Sequence, residues 1–289
     1  MGWKVYPMDT GFFSTLGSYD FDARCEIAKE LGFDATYLTL WSEPAWADVG
    51  RLPAVRATHD LDVAGVYVAL DVATAADDPA GQRIMNLLRN LDGTDLVEVA
   101  ILSGDTSIAN SDPVGDATAL AWIDRLVDAA SEREIRLALY PHANAWLETT
   151  ADAARLCRTL DHPLVGAVFP AYHWYAAGAH DLRGSVDIVA PYLRSVNVCG
   201  SRRISGWVMP ATIEPLDDGQ LDTFAVLGAI ARTDYDGFVG IQGYSVGGDA
   251  YAKFRRSLAA YRDIERRLAE HPHWADLRDD PLPLPSGAA

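Results

Sequence analysis

Basic residues are scarce in this 289-residue chain: 24 Lys and Arg stand against 41 Asp and Glu, for a formal net charge of −17. Such an acidic surface repels phosphate backbones and anionic lipid, which argues against nucleic acid and membrane surfaces as partners. Cysteine is scarce too. Cys25, Cys157 and Cys199 form no C-x-x-C pair, each lies in an apolar stretch, and an odd number leaves one unpaired. Buried free thiols and a reducing compartment are the expectation. No apolar run approaches the ~20 residues of a membrane span. The opening "MGWKVYPMDTGFF" lacks the charged start and long apolar stretch of a secretion signal, so a cytoplasmic location is expected. Two chemical signatures are missing as well: there is no Walker loop and no H-E-x-x-H.

What the chain does have is alternation. Hydrophobic residues make up 49%, ample for a large core. Short apolar runs such as "ATYLTLW", "VAGVYVALD", "DLVEVAILSGD", "IRLALYPH", "LVGAVFPAYHW", "LRSVNVCG" and "GFVGIQGYS" take turns with amphipathic helical segments. In "YDFDARCEIAKELGF" the Asp20 or Asp22 side chain suits an N-cap, Ile27, Ala28 and Leu31 share a face, and Gly32 ends the helix. Pro79 and Gly93 bracket another helix in the same way. With "GWKVYPMD" as the first strand and a helix around 45–60, eight strands alternate with eight helices. Near-continuous apolar strands are those buried on both faces of a parallel sheet. The class is therefore α/β, and the architecture a single (β/α)₈ TIM barrel over residues 1–271. An open doubly wound sheet would carry G-x-G-x-x-G after its first strand, where "PMDTGFF" stands. Residues 272–289, with "RDDPLPLPSGAA", read as an extended C-terminal tail.

In such a barrel the chemistry sits at the C-terminal ends of the strands. The residues expected there are Asp9, then Trp41 and Glu43, Asp71, Ser103 and Asp105, Tyr140, His142 and Trp146, Tyr172, His173 and Trp174, Asn197, Arg202 and Arg203, and Gln242 and Tyr244. Two of the seven histidines, His142 and His173, thus end neighbouring strands. The plain alternative is that each only caps a strand. Tryptophan and tyrosine beside amides suit a neutral sugar, since rings stack on C–H faces and amides read hydroxyls. Packing at the barrel mouth is the plain alternative for Trp41, Trp146 and Trp174.

The ordered set "LALYPHANAW", "VGAVFPAYHW", "SVNVCGSRR", "IEPLDDGQLDTFAVLGAI" and "YDGFVGIQGY" resembles the xylose isomerase-like TIM barrels, the sugar phosphate isomerase/epimerase family. The likeness spans roughly residues 3–265. Metal-dependent members of that family hold a divalent ion with Glu, Asp, His and Glu on strands five to eight. Here the matching positions carry Tyr140, Pro170, Asn197 and Gln242. Neutral amides balance a dication poorly and proline supplies no side-chain donor. The resemblance therefore implies a branch without the usual ligands, with no metal residues assigned. His173 and Arg203 match family positions that contact substrate.

The leading expectation is an isomerase or epimerase, or a related lyase, acting on a sugar or keto-sugar by proton abstraction next to a carbonyl. His142 or His173 would be the base and Tyr140 the acid, as a carbonyl donor. Arg203, Asn197, Gln242, Trp41, Trp146, Trp174, Asp71 and Tyr244 would bind substrate. No cofactor is expected, with manganese, magnesium or zinc left open. A non-catalytic sugar-binding barrel or partner subunit, and a metal enzyme with ligands displaced to His142, His173 or Glu148, are the alternatives. The acidity opposes the endonuclease branch of the same superfamily. Expected partners are a small-molecule sugar and, by the resemblance, a second copy of the chain in a homo-oligomer.

Overall fold

The computed structural model describes residues 2–75, 77–105, 107–205 and 209–278. The strands are β1 (Val5–Pro7), β2 (Ala35–Thr39), β3 (Asp62–Asp71), β4 (Leu96–Leu102), β5 (Arg136–Leu139), β6 (Val165–Pro170), β7 (Leu193–Val198) and β8 (Val239–Ile241). All ladders are parallel, in the order β1-β8-β7-β6-β5-β4-β3-β2. The helices α1 (Phe21–Leu31), α2 (Glu43–Asp48), α3 (Val55–His59), α4 (Pro79–Asn90), α5 (Asp116–Ser131), α6 (Thr150–Leu160), α7 (Ala171–Ala176), α8 (Leu182–Val189), α9 (Thr223–Ile230) and α10 (Ala250–Glu270) surround them. The chain is a single (β/α)₈ barrel. The helix expected around 45–60 divides into α2, a 3₁₀ turn over Val49–Ala54 and α3, because Pro53 removes a backbone donor within it.

No ladder joins β1 to β2, and carboxylates span that seam instead. At its lower end the Val5 N–H donates to Asp34 Oδ2 at 2.8 Å, and the Asp34 N–H to the Val5 carbonyl at 2.9 Å. At its upper end Asp9 accepts from the Thr39 N–H at 2.9 Å and the Thr39 hydroxyl at 2.6 Å. Arg24 of α1 stands 3.3 Å from the same carboxylate.

Acidic residues also start the helices. Asp20, Asp78, Asp181, Asp222 and Asp249 each accept a backbone N–H at the start of α1, α4, α8, α9 and α10. Thr149 and Asp152 form a reciprocal capping box on α6. Gly32 ends α1 in the left-handed region at φ 87°, which an L side chain would strain. Between helices and strands lies the larger apolar core, where Trp122 of α5 packs so closely on Gly81 of α4 that a Cβ would stand 2.4 Å from its ring.

Inside the barrel a second core mixes tyrosines with small residues: Tyr6, Tyr37, Tyr67 and Tyr140 beside Ala35, Ala64, Ala100 and Ala138. Tyr6 and Tyr37 stack at 5.0 Å between ring centres, and Tyr67 meets Tyr140 edge-on at 5.2 Å.

The tail departs from the extended conformation expected from residue 272. Pro272–Ala275 is a 3₁₀ turn, and Ala275 is buried against Gly228 of α9. Arg232 donates to the Ala275 carbonyl at 3.1 Å and clamps the turn. Residues 279–289 lie outside the described residues.

Asp9→Ala is expected to lower unfolding stability by ~3 kcal/mol, because it strands two buried Thr39 donors and takes from Arg24 one of its two carboxylate partners, leaving Asp48. Denaturant unfolding measures this, with a smaller loss for Asp9→Asn.

Candidate active site

A cavity of about 780 Å³ opens at the C-terminal ends of the strands. Met8, Thr10, Thr39, Trp41 and Tyr67 form one wall, and Tyr140, His142, Tyr172 and His173 another. The segment after β8, with Gln242 and Tyr244–Gly247, forms a third wall, and a long arm after β7 a fourth. The arm folds back through antiparallel bridges Gly200–Glu214 and Arg203–Ala211 and presents Ile204, Met209, Ile213 and Glu214. Tyr172 Oη donates to the Ala211 carbonyl at 3.0 Å and ties the arm to α7. Glu214 accepts from the Thr212 hydroxyl at 2.7 Å and is the one carboxylate of the described lining, which holds no Lys or Arg.

The two histidines come together. Their ring centres lie 3.8 Å apart at 34°, and Tyr140 meets His173 edge-on at 5.6 Å. His142 stands in the turn after β5. His173 belongs to the short helix α7, because β6 stops at Pro170 rather than running on to the histidine. Burial pushes both imidazoles below their ordinary range, and His142 lowers His173 further. Both rings are therefore neutral at neutral pH, which suits a proton acceptor or a neutral donor.

Beneath the cavity lies a buried polar layer. Tyr6 Oη donates to Asn197 Oδ1 at 2.7 Å, and Tyr37 Oη donates to Glu98 of β4. Gly240 makes room for this layer, since a Cβ there would stand 2.3 Å from Asn197 Oδ1. Burial pushes the Glu98 carboxyl up, while Ser195, Tyr37 and Asn197 pull it back in part. Burial and then Glu98 push the Tyr140 phenol well above its ordinary range, so Tyr140 stays a neutral donor.

Of the eleven residues expected to catalyse or to bind substrate, Tyr140, His142, His173, Trp41, Gln242 and Tyr244 share the cavity. Trp41 takes Tyr244 and Tyr67 edge-on, at 5.7 Å and 6.1 Å. Five others do not line it. Asn197 is fully buried in the layer below. Trp146 folds back under Gly115 and donates to the Asp112 carbonyl at 3.0 Å. Trp174 follows His173 on a helix and so leaves on another face, donating to the Ser185 hydroxyl at 2.9 Å. Asp71 caps its own turn through Ala73 and Gly104. Arg203 lies over the Tyr175 ring at 4.4 Å. Glu148 accepts from the Asn144 N–H at 2.8 Å and braces the turn after β5.

Sequence reasoning missed the arm, Glu214 and Glu98. The arm has neither helical nor strand periodicity. Glu98 sits mid-strand in "DLVEVAIL", and its period-two position toward the barrel axis was the available signal.

A family model described as xylose isomerase-like TIM barrel matches residues 25–264. The chain belongs to that family. Among solved structures, an L-ribulose 3-epimerase aligns with a TM-score of 0.74 at 15% identity, over 97% of this chain and 100% of that one. The IOLI protein with a bound zinc atom aligns at 0.73 and 15% identity, over 90% of this chain and 97% of that one. A xylose isomerase-like TIM barrel protein from Mycobacterium smegmatis in complex with magnesium aligns at 0.65 and 16% identity, over 91% and 96%. At such identities the likeness concerns the fold. No curated protein matches the chain in sequence. Among the described residues of this xylose isomerase-like barrel, no three His, Cys, Asp or Glu side chains gather as a metal-binding group.

The Glu98 carboxyl titrates above its ordinary 4.5 in the folded chain. As pH rises past that value the unfolded state loses this proton while the folded state keeps it, so stability falls until the folded group ionises. Glu98→Gln is expected to gain on the native protein by up to about 1.4 kcal/mol per pH unit over that window. Parallel urea titrations at several pH values measure the difference, which a solvated Glu98 would leave flat.

Proposed function

We propose that the chain is an isomerase or epimerase, or a related lyase, acting on an unphosphorylated sugar or keto-sugar by proton transfer next to a carbonyl. The carrying observation is the close, tilted His142–His173 pair, both rings neutral, inside an aromatic-walled cavity. Trp41, Tyr67 and Tyr244 offer ring faces and edges to the C–H side of a sugar. The Gln242 side chain is buried with Oε1 unpartnered, an acceptor for a hydroxyl. The neighbours that process sugars or bind metals lend the reaction class its prior.

The lining supports the unphosphorylated class. A phosphate brought beside Glu214, with no Lys or Arg among the described lining residues, loses hydration without gaining a counter-charge.

The strand-end donors also support work without a divalent ion. Tyr140 holds its proton, Pro170 has no side-chain donor, and Asn197 Oδ1 is already engaged by Tyr6. Such neutral groups do not balance a dication. Proton abstraction then falls to the imidazoles, with Gln242 and Tyr140 orienting hydroxyls and the carbonyl.

Two measurements test the reading. Incubated in D₂O, the protein is expected to exchange one C–H of an unphosphorylated ketohexose or ketopentose, and to discriminate at least tenfold against its terminal phosphate ester. Binding without exchange would make it a sugar-binding barrel instead. Elemental analysis of the purified protein is expected to find no stoichiometric manganese, magnesium or zinc. A full equivalent retained through dialysis against chelator would defeat the metal-free mechanism.

A further inference from the structure

We propose that His142 and His173 are a tautomer-locked pair, base and neutral acid, set in opposite states by the two ends of one residue, Ala143. The reactive roles rest on the reading above; the lock stands on geometry alone. His142 Nδ1 lies 2.8 Å from the Ala143 carbonyl oxygen. A carbonyl oxygen only accepts, so Nδ1 of the neutral ring carries the hydrogen and Nε2 keeps its lone pair. His173 Nδ1 lies 3.3 Å from the Ala143 backbone nitrogen, which donates its N–H to that ring. Here Nδ1 must hold the lone pair, and the hydrogen sits on Nε2.

One residue thus imposes both tautomers, its N–H on one ring and its C=O on the other. The residue is well held. Ala143 is buried, and the turn around it closes through the His142 N–H to the Leu147 carbonyl at 2.8 Å and the Ala145 N–H to the His142 carbonyl at 2.9 Å. Among the described residues neither Nε2 has a hydrogen-bond partner, while both rings line the cavity. The adjacent rings therefore offer a bound molecule one lone pair and one N–H close together, as abstraction next to a carbonyl requires.

The step balances without a co-reactant. His142 Nε2 takes the proton of the carbon beside the carbonyl. The C–H electron pair becomes the new C=C bond, and the C=O π pair moves onto oxygen. His173 Nε2–H donates to that oxygen and keeps its proton, so the enediolate meets a fixed donor rather than a second cation. Return of a proton from the His142 imidazolium completes the exchange. His142 and His173 are the catalytic residues of this scheme and Ala143 a positioning residue.

The lock is read by long-range ¹H–¹⁵N correlation on imidazole-labelled protein at neutral pH, with peaks assigned by their loss in His142→Asn and His173→Asn. The expected result is His142 protonated on Nδ1 and His173 on Nε2. The same tautomer on both rings, or the reverse pair, overturns the proposal whatever the protein acts on. Exchange in D₂O reads the roles. His142→Gln, which lacks a basic nitrogen, is expected to lose about 10³-fold. His173→Gln, whose amide N–H can occupy the Nε2 position, should stay within about tenfold of the native rate, and His173→Ala should fall about 10²-fold. A base at His173 would invert that order. If no sugar exchanges with the native protein, the functional reading fails and the NMR result still decides the lock.

Discussion

A parallel barrel must close on itself, and the closing seam in this chain is tied mainly by two aspartate side chains. Asp34 and Asp9 span the gap between β1 and β2 where a ladder would run. The upper of these ties sits beside the cavity: Thr39, which donates twice to Asp9, also lines the wall. Arg24 brings α1 into the same cluster. The position of Trp41, two residues past Thr39, thus depends on a buried charge cluster on one side as well as on the β2–β3 ladder on the other.

The interior carries the same theme. Barrel cores are usually filled with branched aliphatic side chains, whereas four tyrosines and Glu98 occupy part of this one. Polar groups so deeply buried are costly unless paired, and the pairing forms a layer beneath the cavity that His142 and His173 line. Asn197 has an unpartnered Nδ2 and Glu98 an unpartnered Oε1, so the layer is not fully satisfied. Unsatisfied buried polarity of this kind collects where a chain serves chemistry rather than stability alone.

Much of this was legible in the residues. Strand and helix alternation, the Asp20 cap and the Gly32 stop read directly, because periodicity and capping are local. Convergence of His142 and His173 was also readable, since two adjacent parallel strands must end side by side. What stayed hidden depends on direction and on tertiary packing. Trp146 and Trp174 share a strand end with the histidines yet turn away, one folding back and one leaving along a helix. Arg203 has the spacing of a sugar-binding arginine but is drawn onto Tyr175 by the antiparallel arm, whose pairing no local pattern announces.

The aspartates that open the helices have one more effect. In a barrel wound this way every helix begins on the face where the strands end, so the positive ends of the helix dipoles ring the cavity mouth. Bare, that ring would attract anions. Here Asp20, Asp78, Asp181, Asp222 and Asp249 each place a carboxylate on it. The mouth is electrostatically blunted, and the attraction that bare helix starts would exert on anions is offset ahead of the lining.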